Sequence, residues 1–179
     1  MRYLYTLVLA LGSSLLLHAQ TNNTKEANKT FFAEFGGPGI LFSANFDQRF
    51  KSKERLGFGY RAGLGFTLVD ETEFTNNMFF TTRTNTVITV PLGVNYLFGR
   101  PNSPNMFEVG VGGTILSRPS SILNYNDYTQ GNLTGNATFM YRRQPVDGGF
   151  SFRIGFVPTI NTDGDIFPFA AVGLGYSFR

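Results

Sequence analysis

Few side chains in this sequence are able to do chemistry, and their types narrow the choice. Cys is absent and the single histidine is His18. Thiolate nucleophiles and cysteine-bound zinc are therefore excluded, and any histidine general base rests on that one residue. The other candidates are charged: Glu34, Arg61, Glu108, Arg142 and Arg153. Asp70, Glu71 and Glu73 form a carboxylate cluster, but Asp-Glu-Thr-Glu lacks the pattern of a dedicated calcium loop. Gly36-Gly37-Pro38-Gly39 is followed by neither a helix pattern nor a Lys, so it is no phosphate cradle. A formal net charge of +3 without a Lys/Arg run leaves no footprint for nucleic acid. No catalytic residue, cofactor or metal ligand is expected.

The elements that carry those charges have a period of two. Over 56–68, Leu56, Phe58, Tyr60, Ala62, Leu64, Phe66 and Leu68 alternate with Gly57, Gly59, Arg61, Gly63, Gly65 and Thr67. No helical period does this; it is a strand with one apolar face. The same division recurs over 86–98, 106–115, 134–142, 149–160 and 166–178. Upstream, Ile40, Phe42, Ala44 and Phe46 alternate with Ser43, Asn45, Asp47 and Arg49, and Phe31, Ala33 and Phe35 flank Glu34. The glycine-rich stretch at 36–39 is either a tight turn between two strands or a kink within one. Counted as a turn, it makes eight strands. Pro91 falls mid-strand and is expected to mark a bulge, whereas Pro158 and Pro168 belong near a rim.

The N-terminus reads as a targeting segment. Arg2 supplies a positive charge, an apolar run follows to Leu17, and Ala19-Gln20 offers a small residue for cleavage. Residues 1–19 are thus expected to be a signal peptide, and their removal takes His18 away. Residues 20–30 are polar and aperiodic and read as a flexible lead-in; 31–179 form the folded domain.

Which side of the sheet is buried decides the solvent. The apolar face carries almost no charge on any strand, while the other holds Gly, Ser, Thr, Asn and the five charges named first. No helical period remains to cover that apolar face. Lipid can cover it, and closure removes the strand edges that lipid cannot satisfy. Connections also alternate, with long polar loops at 70–84 and 117–133 on one end and short turns on the other, as in outer-membrane barrels. The expectation is an all-β, eight-stranded antiparallel up-and-down transmembrane β-barrel with both termini at the periplasmic end. A secreted soluble β protein is the rival fold. In a barrel this small the inward Glu34, Arg61, Glu108, Arg142 and Arg153 are expected to pair as an ionic network filling the lumen. The 21 Gly residues, largely inward, give those side chains room, and the 20 Phe residues suit the lipid face.

The signal peptide, the alternating strands and the closing segment Gly173-Leu174-Gly175-Tyr176-Ser177-Phe178 resemble the small outer-membrane β-barrel proteins of Gram-negative bacteria, of the OmpA/OmpX-like eight-stranded kind. The resemblance implies outer-membrane lipids as surroundings and a monomer. It also implies that Tyr176 and Phe178 are the aromatic signal read by the barrel-assembly machinery, although Arg179 displaces Phe178 from the last position. For activity it implies little. A structural or surface-binding role through the outer loops, where Tyr125 and Tyr128 lie, stands beside a lipid-modifying enzyme and a small pore for polar solutes.

Overall fold

A computed structural model describes residues 26–75, 79–120 and 131–179, and the side chains of these except 70–75, 79–83 and 120. The expected signal peptide, most of the lead-in and the pair Tyr125 and Tyr128 lie outside the described residues.

Eight strands follow one another: β1 (Lys29–Gly36), β2 (Phe42–Arg49), β3 (Gly57–Thr75), β4 (Phe79–Gly99), β5 (Asn105–Ser120), β6 (Gly131–Arg143), β7 (Gly149–Ile160) and β8 (Ile166–Phe178). Each pairs antiparallel with its chain neighbour, and β8 returns to β1, closing the barrel. Strands alternate strictly because side chains on a pleated strand point to opposite faces. Phe31, Phe35, Phe58, Leu64, Val111, Phe150, Ile166 and Leu174 face out and are exposed, Ile166 to 65%. Between them Phe32, Glu34, Asp47, Arg61, Glu108, Arg142 and Arg153 point into the lumen and are buried. The apolar face of β3 runs from Phe58 to Leu68; at ~3.3 Å per residue and a tilt of roughly 40°, it stands about 25 Å tall.

The outer face is zoned along the axis. Tyr60, Tyr96, Tyr141 and Tyr176 all point outward in the half nearest the chain termini. Aromatic pairs gather beside them: Phe58 meets Tyr96 edge-on at 4.7 Å, Tyr96 lies 4.6 Å from Phe98, and Tyr141 lies 5.8 Å from Phe152.

Several expectations change. β1 begins at Lys29, and the residues before it are fixed: Ala27 is fully buried and donates its N–H to the Val146 carbonyl at 2.9 Å. The lead-in therefore joins the fold four or five residues before the expected start at 31. The expected loop over 70–84 is largely a hairpin, since β3 continues to Thr75 and pairs with β4 from Phe79 on, with Glu71 opposite Arg83. Polar composition suggested a loop there, but the abundant Thr suits an extended pair beyond the barrel rim. β5 likewise runs to Ser120 and β6 starts at Gly131, shortening the loop expected over 117–133.

Pro91 does not make a bulge. Pairing of β3 with β4 is interrupted beside it and resumes at Gly65↔Thr89 in the same register as Ala62↔Leu92. The register shift lies instead between Ile115 and Ser120 in β5, the segment holding Pro119. Pro lacks an N–H, so it deletes a ladder bond wherever it stands; whether register slips depends on the flanking pairs.

Gly36–Gly39 is a connection between two strands, and it turns into the lumen. A 3-10 turn at Gly37–Gly39 is wholly buried. Gly36 and Gly37 take φ of 74° and 67°, which side chains with a Cβ rarely adopt. Ile40 follows at φ 72° and packs inward on Val69, Val87 and Leu116, away from the outward apolar face on which the alternation had set it. Nor is the lumen polar throughout. Besides that cluster, Met140, Val157 and Ala171 form a second apolar group with Phe169.

Candidate functional site

The charged half of the lumen, on the side of the chain termini, is the site. Its construction begins with the pleat: Asp47 and Arg49 are two residues apart on β2 and so share the inner face. The Arg49 guanidinium donates to Asp47 Oδ1 at 2.7 Å, to Asn95 Oδ1 at 2.6 Å and to the Gly57 carbonyl at 2.9 Å. Gly59 makes this possible, because a Cβ there would occupy the space of the Arg49 guanidinium. Asn95, from β4, donates to Asp47 Oδ2 at 2.7 Å and to Glu108 Oε1 at 2.9 Å, linking the two carboxylates.

Across the lumen, Arg142 Nη1 lies 3.2 Å from Asp47 and 3.3 Å from Glu108, and its Nη2 donates to Thr30 Oγ1 at 2.7 Å. Thr30 in turn shares a 2.9 Å hydrogen bond with Ser177. Arg153 reaches Glu108 at 3.0 Å and Glu34 at 3.2 Å, with its guanidinium carbon 4.6 Å from the centre of the Phe32 ring. Arg61 meets Glu34 at 3.5 Å. One connected network thus draws a residue from every strand: Glu34, Asp47, Arg61, Asn95, Glu108, Arg142, Arg153 and Ser177.

Two further closures bracket it. At the terminus end, the fully buried Arg55 donates to the carbonyls of Gln144 at 2.7 Å, Pro101 at 2.9 Å and Ser103 at 2.7 Å. Its own N–H donates to the Glu26 carboxylate at 2.9 Å. Burial lowers the pKa of this guanidinium, and the Glu26 carboxylate partly offsets the effect. One residue in the β2–β3 turn therefore ties together the β4–β5 turn and the β6–β7 turn through its side chain and the N-terminal segment through its backbone. At the loop end, the inward turn is fastened by Thr114 Oγ1, which donates to the Pro38 carbonyl at 2.6 Å, and by Thr89 Oγ1, which donates to Gly39 at 3.2 Å.

Every one of Glu34, Arg61, Glu108, Arg142 and Arg153 is in this network. Sequence reasoning did not select Asp47, Arg49, Asn95 and Arg55. The first three were legible as inward positions; what was missing was their convergence on one level of the barrel. Arg55 sits in a turn, where no alternation reports direction. Asp70, Glu71 and Glu73 lie on the backbone of the extended β3 hairpin, away from the network. Tyr176 and Phe178 point outward on β8, Phe178 with its ring 6.4 Å from Phe46, and Arg179 pairs with Asp147 at 3.0 Å.

Chemically the arrangement is a set of ion pairs. Each lumen carboxylate is held by at least one guanidinium, and among the described residues no group of three His, Cys, Asp or Glu is placed to hold a metal ion. Taking such charges out of water is tolerable only because they are mutually paired.

No protein-family model matches the chain, and no curated protein matches it. Among solved structures, it is similar to the N-terminal β-barrel domain of Pseudomonas aeruginosa OprF, at a TM-score of 0.51 and 12% identity, over 86% of this chain and 100% of that one. The likeness is one of fold: a closed, eight-stranded, up-and-down barrel of the OmpA-like kind.

Proposed function

We propose that the chain is an integral outer-membrane protein: a monomeric barrel that spans the bilayer without conducting or catalysing. The observation that carries this is the inversion of its faces, apolar outside and charged inside. A water-soluble barrel needs the reverse, whereas lipid both requires the apolar exterior and is excluded from a lumen sealed by paired charges. Its 25 Å or so of apolar height suits the hydrocarbon layer of such a membrane. The outward tyrosines on the terminus side suit the interfacial girdle. The reading puts the termini in the periplasm, after export on the N-terminal signal peptide, and the extended β3–β4 and β5–β6 hairpins outside.

The role is structural or surface-binding. Three successive closures, the Arg55 tie, the ionic network and the inward turn, oppose a pore, and the carboxylates engaged by arginines oppose acid–base chemistry. Outer-membrane lipids are its surroundings, and the barrel-assembly machinery its transient partner through Tyr176 and Phe178. Replacing Phe178→Ala should slow appearance of the folded form in cells severalfold while leaving refolding in detergent unchanged; equal slowing in both would assign Phe178 to packing alone.

Gel mobility with and without boiling in detergent tests the barrel, since a folded one migrates apart from its boiled form. Single-channel recording in a planar bilayer tests closure. Identical migration, with solubility in the absence of detergent, would overturn the membrane reading; steady conductance would overturn the sealed lumen.

A further inference from the structure

The network does not balance. Arg49, Arg61, Arg142 and Arg153 bring four positive charges, and Glu34, Asp47 and Glu108 bring three negative ones, all at 6% exposure or less. Arg55, outside the network, has the Glu26 carboxylate bonded to its backbone N–H. An uncompensated charge in a closed lumen is costly, and an ordinary buried base would lose its proton instead. Arginine cannot do so. Among the described residues no carboxylate besides Glu34, Asp47 and Glu108 pairs with these arginines, so the balancing charge is sought in an ion.

There is a place for it. A cavity of about 10 Å³ lies against Arg142 and Arg153, the hydroxyl-bearing Thr30 and Ser151, and the rings of Phe32 and Phe152. No carboxylate lines it. Arg153 Nη1 is buried and has no hydrogen-bond partner. Gly173 and Gly175 complete the wall, and a Cβ at Gly173 would press on the Arg153 side chain at 2.8 Å. The space holds one particle of about water size. Two guanidiniums and two hydroxyls offer donors, which favour a small spherical anion over a cation.

We propose that this cavity binds a single monovalent halide, chloride in practice, which completes the charge balance of the lumen and stabilises the closed barrel. The ion belongs to the folded state alone, because the cavity exists only when β1, β6, β7 and β8 are assembled. Binding therefore raises stability with chloride concentration.

The experiment uses the full mature chain refolded in nonionic detergent micelles. The unfolding midpoint is followed by the loss of the unboiled gel band as chloride replaces isethionate, an anion too large for the cavity, at constant ionic strength. A rise of roughly 3 °C, growing with the logarithm of chloride once the site is filled, is expected across a hundredfold range of chloride. Ser151→Ala should weaken the chloride dependence several-fold while leaving the network arginines in place, and Arg153→Gln, if it folds, should abolish it. Crystals grown in bromide should show one anomalous peak at the cavity. A midpoint indifferent to chloride overturns the proposal, and so does a cavity holding water alone. A bromide peak without chloride-dependent stability marks an adventitious ion only and overturns it too.

Discussion

The two halves of the lumen solve the same filling problem with opposite chemistry. On the terminus side, four arginines and three carboxylates interlock through Asn95. On the loop side, Val69, Val87 and Leu116 pack on Ile40 beneath an inward turn, and Met140, Val157 and Ala171 form a separate apolar group. Burying apolar side chains stabilises each independently, by an amount that follows area. Burying charges stabilises nothing unless every partner is present. The difference is therefore one of tolerance: the apolar half should degrade by increments and the ionic half should fail as a unit.

Removing a central charge makes the sharpest test. Glu108→Ala deprives Arg142, Arg153 and Asn95 of a partner at once and should cost about 3–5 kcal/mol, read from urea unfolding of the refolded barrel in micelles. Combined with Arg153→Gln, the loss should fall well short of the sum of the two single losses; simple additivity would mean that the network is a collection of separate pairs.

In the apolar half, Leu116→Ala should cost about 2–4 kcal/mol by the cavity it leaves, and that loss should add to the effect of Glu108→Ala. Coupling between them would erase the division between the halves. A smaller effect, about 1 kcal/mol, is expected for Thr114→Val, which removes the hydrogen bond to the Pro38 carbonyl that fastens the inward turn. If that turn is what seals the loop end, conductance events should become more frequent in this variant before stability changes much. Smallest of all is Lys51→Ala. Its 3.1 Å pair with Glu54 is exposed on both sides, and the unfolding midpoint should move within error.

How far these halves were legible in the sequence follows from what a period of two can say. It assigns a face, so the inward charges, the outward phenylalanines and the closed sheet could all be read from alternation. It does not assign height along the axis. Asp47 and Arg49 were visible as inward residues, but their meeting with Glu108 and Arg142 depends on the stagger between strands, which no single strand records. Val69, Val87 and Leu116 likewise fall on the inner face by parity, and nothing local tells that they come together. Connections are harder still. The direction of the 36–39 turn hangs on positive φ angles at Gly36, Gly37 and Ile40, and Ile40 left the outward face because of them. Arg55, in a turn, carried no periodic signal at all.

The seam between β1 and β8 bears on when this molecule becomes a barrel. Every other strand pair is formed by chain neighbours, so seven hairpins can zip as soon as their residues are available. The last seam joins Thr30 to Ser177, 147 positions apart, and waits for the final strand. Until then Glu34 on β1 and Arg153 on β7, which meet over Gly173 of β8, have no sealed lumen to occupy. Closure and charge pairing are thus one late, concerted event. A chain halted before β8 keeps two unpaired edges and a half-open row of buried-to-be arginines, a species that water can hold but a bilayer should reject.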